Sequence, residues 1–174
     1  MAQAARGVLA ALGLAVLGAD CRGAFARSAR VRVWVTRPPR DTVRFETPAR
    51  ARRCSGGRGK GGGILLQGAS GGNGVAVWLR TPDSIASGPW PLLQRGDTVT
   101  ARGAIVAVRY SVAEYAHGTS LDSGAVRVTL QGGVVTLVAR GSGLDAVGGG
   151  RLAVGATFDA VPLAADTISC RSGL

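Results

Sequence analysis

His117 is the only histidine in the chain and so the one side chain whose ordinary titration falls near neutral pH. It stands in Glu114-Tyr115-Ala116-His117-Gly118, with Ser120 and Asp122 shortly after it. Serine, histidine and aspartate are the residue types of an oriented nucleophile, but that chemistry needs three side chains converging with the histidine between the others. Residues crowded into one loop seldom converge, so a locally hydrogen-bonded loop histidine is expected. Ligand contact and a small hydrolase built on His117 are the functional alternatives. Two further motifs fail on their surroundings. Gly68-Ala69-Ser70-Gly71-Gly72 spells G-x-S-x-G, which works only at a strand-to-helix turn. Here strand-like runs lie on both sides, and a hairpin turn is expected. Gly57-Arg58-Gly59-Lys60-Gly61-Gly62 carries the letters G-x-G-x-x-G, but Ile64-Leu65-Leu66 follows where a phosphate-binding helix would begin. The tract is not a P-loop either, because Gly61 follows Lys60 and Cys54 stands five residues before Gly59. The chain therefore reads as non-catalytic, with no cofactor.

The three cysteines carry the next argument. An apolar run from Gly7 to Ala19, preceded by Arg6, has the build of a secretory signal peptide and is too short to cross a bilayer. Ala24-Phe25-Ala26 is an A-x-A exit that would free a chain starting at Arg27. Leu17-Gly18-Ala19-Asp20-Cys21 is a second exit that resembles a lipobox, with Cys21 as the lipidated residue and Asp20 departing from the small residue expected there. Either exit removes or consumes Cys21 and leaves Cys54 and Cys170 as an even pair, expected to form a disulfide in an exported, periplasmic or extracellular protein. No second pair of ligands lies near either cysteine, so no metal site is expected.

Charge is concentrated. The formal net charge is +11, and arginine exceeds lysine by 20 to 1. Eleven basic residues lie between Arg27 and Lys60, opposed only by Asp41 and Glu46, whereas the chain from Gly61 onward is nearly neutral. Arg50, Arg52, Arg53, Arg58 and Lys60 form a candidate contact for an anionic envelope polymer or lipid headgroups. Only Trp34 and Phe45 are interleaved with the arginines, too few stacking rings for a nucleic-acid module. Trp78, opposite Val75, Val77 and Leu79 in its strand pattern, and Trp90, in a Pro-flanked loop, make a candidate ligand-contact patch alongside their more ordinary role in packing.

The elements that must hold these residues are strands. Val31, Val33 and Val35 alternate with Arg32, Trp34 and Thr36 up to Pro38-Pro39, and Thr42 to Glu46 is a second, weak strand ended by Pro48. Ile64–Gln67 and Val75–Arg80 form a hairpin around Gly71-Gly72-Asn73-Gly74. Thr81 to Pro91 reads as a loop. Val99 to Tyr110 is the longest strand, with Gly103 as a bend, and Ser111 to Ser123 is a loop with room for one helical turn. A second hairpin runs from Val126 to Arg140 around Gly132-Gly133. A late strand carries Leu152, Val154, Ala156 and Phe158, and Thr167 to Arg171 closes the chain. Eight or nine short strands without helical periodicity predict an all-β antiparallel sandwich or small barrel. The organisation read from this is a signal peptide over 1–26, an Arg-rich segment over 27–60, and a β-sandwich core over 61–174.

Gly88-Pro89-Trp90-Pro91-Leu92, Arg102-Gly103-Ala104-Ile105-Val106, the Val126 to Arg140 hairpin and Gly155-Ala156-Thr157-Phe158 together resemble small uncharacterised exported or lipoprotein β-sandwich proteins of high-GC bacteria. The resemblance covers about two thirds of the chain and implies compartment and fold, with no activity attached. The expected role is an envelope-associated binding or structural domain. A self-assembling surface subunit, formed by strand addition through residues 31–36, and a polyanion or carbohydrate module are the alternatives.

Overall fold

The computed structural model describes residues 28–39, 41–56 and 62–170. The proposed signal peptide, Cys21, Arg58 and Lys60 lie outside these residues. Ten strands follow in order: β1 (Arg30–Arg37), β2 (Asp41–Ser55), β3 (Gly62–Ser70), β4 (Asn73–Thr81), β5 (Gly88–Trp90), β6 (Gly103–Val112), β7 (Tyr115–Ser120), β8 (Ser123–Gln131), β9 (Val134–Leu144) and β10 (Arg151–Ser169). They form one continuous sheet, ordered β5-β8-β9-β10-β1-β2-β3-β4-β6-β7. The sheet is folded over, so that one face of every layer meets in one large apolar core, and a smaller buried cluster surrounds Cys54 and Cys170.

β1 supplies the middle of that core. Val31, Val33 and Val35 are buried while Arg30, Arg32 and Trp34 face outward, as strand alternation requires. Each fully buried aliphatic side chain of this kind contributes about 1.5–3 kcal/mol. Both edges of β1 are occupied within the chain, by β2 on one side and by β10 on the other. Residues 31–36 therefore have no free edge to lend to a neighbouring copy, and residues 30–55 belong to the centre of the sheet.

Several elements differ from the sequence reading, each for a local reason. The second strand does not stop at Pro48. Ala49 donates its N–H to the carbonyl of Ala29 (2.7 Å), so the position where proline lacks a donor faces away from β1, at the point where pairing with β3 is about to begin. β2 thus runs for 15 residues and passes from one layer into the other. The late strand and the closing strand are likewise one element of 19 residues, bent at a register shift between Phe158 and Val161 where Ala160 has a positive φ of 46°. Residues 99–102 are not strand. The Asp97 carboxylate accepts the N–H groups of Val99 (2.9 Å) and Thr100 (2.8 Å) and the Thr100 hydroxyl (2.7 Å), a turn that competes successfully with the ladder. These bonds, led by those of Thr100, hold the Asp97 carboxyl well below the usual carboxylate range. The Ser111–Ser123 region holds strand β7 instead of a helical turn, and Gly88–Trp90 form a three-residue edge strand inside the expected 81–91 loop.

The two expected hairpins are present, turning at Gly71-Gly72 and Gly132-Gly133 with positive φ at all four glycines. Cys54 and Cys170 are joined, with Cα atoms 4.9 Å apart across a separation of 116 residues. The bridge ties the ends of β2 and β10 where they pair in parallel, from Leu163↔Ala51 to Ser169↔Ser55. No helix among the described residues is long and apolar enough to cross a membrane.

Closing so long a loop restricts the unfolded chain by about 4–5 kcal/mol. Replacing both cysteines with serine is expected to lower the unfolding free energy by an amount of that order, read from urea titrations of both proteins without reductant. An unchanged midpoint would mean that β2 and β10 hold each other without the clamp.

Candidate functional site

Side-chain parity decides which residues can meet. Along β7, His117 and Thr119 face the core side, opposite Tyr110 and Val108 of β6, while Ala116, Gly118 and Ser120 face outward. His117 and Ser120 are therefore on opposite faces of one strand, and Asp122 is engaged by Arg151 (2.7 and 3.0 Å). The Ser–His–Asp cluster of the sequence does not assemble. His117 is instead bonded through Nδ1 to Asp145, at 2.9 Å from its Oδ2, and its ring stacks on Tyr110 at a centroid distance of 5.1 Å.

Asp145 follows β9 and is buried. Its carboxylate accepts the N–H of Val147 (3.1 Å), and the next residue docks onto β7 through Ala146 N–H to Gly118 C=O (2.8 Å). Burial pushes the carboxyl up, but the Val147 amide and His117 outweigh it and hold Asp145 below the usual carboxylate range. Tyr110 is pushed up by burial and by the Asp145 charge, with Arg37 acting in the opposite sense. The arrangement fixes the His117 ring in place. Among the described residues no serine, threonine or cysteine is hydrogen-bonded to it. The aspartate that serves His117 lies 28 residues away, and its only sequence trace is the Gly148-Gly149-Gly150 turn that folds back on it.

The same edge carries a groove of about 790 Å³ across the outer face of β3, β4, β6 and β7. Its floor is low because outward positions there are Gly74, Ala76, Ala107 and Gly118. Arg95 and Arg109 line it, and neither forms an ion pair among the described residues. His117 stands at the β7 end, beside the exposed side chains of Leu144 and Val147. Arg95 reaches the groove on a loop that Arg80 pins down. Buried Arg80 donates to the Asp97 carbonyl (2.5 Å), the Asp97 carboxylate (3.2 Å) and the Thr100 carbonyl.

No family model matches the chain, and neither a curated protein nor a solved structure matches it.

The other candidate residues are dispersed. Trp78 is half-buried on the outer face, packed against the Cys54–Cys170 bridge and Leu65. Trp90 is 2 % exposed in the core, where its Nε1 donates to the Ala86 carbonyl (3.0 Å) and Arg102 lies over its ring at 4.5 Å. The two rings lie on opposite faces and do not form one patch. Arg50 and Arg52 face outward from β2 opposite Gln67 and Leu65, which places Arg50 at the β3 end of the groove. Arg52 pairs with Asp166 (3.5 Å), and Arg53 is exposed opposite Ile64. Among the described residues no group of three or more His, Cys, Asp or Glu side chains could hold a metal ion.

A carboxyl held below its unfolded value near 3.9 contributes stability that is present above about pH 4 and lost as pH falls through the folded value. Asp145→Asn is therefore expected to lower the unfolding free energy near pH 6 by about 1–3 kcal/mol. The gap to the unsubstituted protein should narrow as pH drops below about 3. Urea titrations of both proteins across this range check it, and a gap that widens in acid would contradict the assignment.

Proposed function

We propose that this chain is an exported, non-catalytic binding domain that holds a negatively charged polymer of the cell envelope in the groove across β3, β4, β6 and β7. The observation that carries the proposal is the groove itself: a long, shallow floor of small residues flanked by Arg95 and Arg109, two guanidinium groups without acidic partners among the described residues. An extended anionic chain fits an open, elongated surface of this kind, since its charges recur along its length and need no enclosing pocket. Arg50 adds a further positive charge at the β3 end. Export is supported by the apolar run after Arg6, by the A-x-A exit before Arg27 and by the Cys54–Cys170 bridge. The resemblance to small exported β-sandwich proteins of high-GC bacteria belongs to the same proposal.

The test is retention on a sulfated or uronic-acid polymer. Affinity is expected to fall about tenfold between about 0.02 and 0.15 M salt, because exposed charges are screened over this range. The Arg95→Ala/Arg109→Ala variant should lose a further factor of about ten at low salt. No retention at low salt, or full retention by the double variant, would overturn the proposal.

A further inference from the structure

The opposite outer face of the sheet carries a different arrangement, centred on Trp34. Strand alternation sends Trp34 out of β1 between Arg44 of β2 and Gly155 of β10. The indole leans over Gly155 so closely that a Cβ at that position would overlap its Nε1, Cε2 and Cζ2 atoms. One face of the ring therefore rests on the β10 backbone, and glycine is what allows it. The side chain keeps 37 % of its surface in solvent, the highest among the tryptophans. This is a flat aromatic platform seated in a sheet.

Its flanks are basic. In register across the strands stand Arg44 on β2, Trp34 on β1, Gly155 on β10 and Arg140 on β9. Arg30 and Arg32 on the same face are neutralised by Glu46 and Asp159. Arg44 and Arg140 have no ion-pair partner among the described residues, and neither lies over the Trp34 ring. Three interstrand steps separate their backbones, about 14 Å, with the ring between them. Hydroxyl groups complete the surround: Thr36 and Thr42 along the strands on one side, Thr157 on the other.

We infer that this face is a second binding site, for an acidic oligosaccharide laid across the strands. A sugar ring would stack its apolar face on Trp34, and carboxylates on neighbouring rings would meet Arg44 and Arg140. Charge complementarity selects an anionic sugar over a neutral one. A nucleic acid strand would call for successive stacking rings, and among the described residues no second aromatic side chain faces outward from β1, β2, β9 or β10. This site shares no residue with the groove, and it goes beyond the function proposed above.

The probe is a galacturonic acid trimer, with its fully methyl-esterified form as the uncharged control. The chain has three tryptophans, so the Trp34 indole N–H signal can be assigned in an NMR spectrum by its loss in Trp34→Ala. The acidic trimer is expected to shift that signal and the ester to shift it at least about tenfold more weakly. Arg44→Ala/Arg140→Ala should weaken binding of the acid by about tenfold, and Trp34→Phe should keep part of it. An unchanged signal from buried Trp90 shows that each variant is folded. Four results would each overturn the inference: no shift of Trp34, equal shifts with acid and ester, a shift that depends on protein concentration alone (a second copy on this face), or tighter binding of a short oligothymidylate. Trp34 reads this face, whereas polymer retention by the Arg95/Arg109 variant reads the groove, so either proposal can fail alone.

Discussion

β1 lies antiparallel to β2 along one side and to β10 along the other, and two strands each antiparallel to a third must run parallel to one another. Both are longer than β1 and continue past its start at Arg30. Beyond that point nothing separates them, so Ala51–Ser55 and Leu163–Ser169 form their own parallel ladder in the second layer. The fold-over of the sheet, the position of the disulfide and the main core all depend on this geometry. The bridge sits where two segments far apart in sequence, each emerging from the same short strand, come to their common end.

Local patterns in the sequence carried much of this architecture. The Val31-Val33-Val35 alternation, both Gly-Gly hairpins and the Cys54–Cys170 pair follow from rules that act over a few residues or from simple parity of cysteines. The length of β2 was hidden because Pro48 looks like a strand breaker when read alone, and it is tolerated through its place at the handover between β1 and β3. The length of β10 was hidden because its two halves are separated by the bend at Ala160, across which the alternation shifts. β7 was hidden because Ala116, His117, Gly118 and Ser120 carry little β propensity, and they pair because β6 offers an edge. For the same reason, the partner of His117 was beyond reach. Asp145 meets it through a contact between β7 and the end of β9, and no spacing rule spans 28 residues of unknown path.

The basic segment reads differently once folded. Alternation along β1 and β2 points Arg30, Arg32, Arg44, Arg50 and Arg52 outward and most valines and alanines inward. What looks in one dimension like a charged tail is the solvent side of the central strands. Some of this charge is spent locally, in Arg30–Glu46, Arg32–Asp159 and Arg52–Asp166. Of the segment's unpaired arginines, Arg50 stands beside Arg95 and Arg109 on one surface, and Arg44 stands in register with Arg140 on the surface that faces away from it. On the two proposals above, a polyanion would be touched from both sides, which would make a single copy a cross-linker between two strands of polymer.

An unclosed sheet must have two ends, and here they are β5 and β7. β5 is three residues long with Pro89 at its centre, and β7 has its outer rim occupied by the Ala146 amide on Gly118. A neighbouring copy approaching either end therefore finds an edge that is short at β5 and partly occupied at β7, both poor templates for a ladder. On the proposed function, copies crowded along a polymer would be at risk of templated fibril growth, and these blunt ends would hinder such strand-by-strand polymerisation.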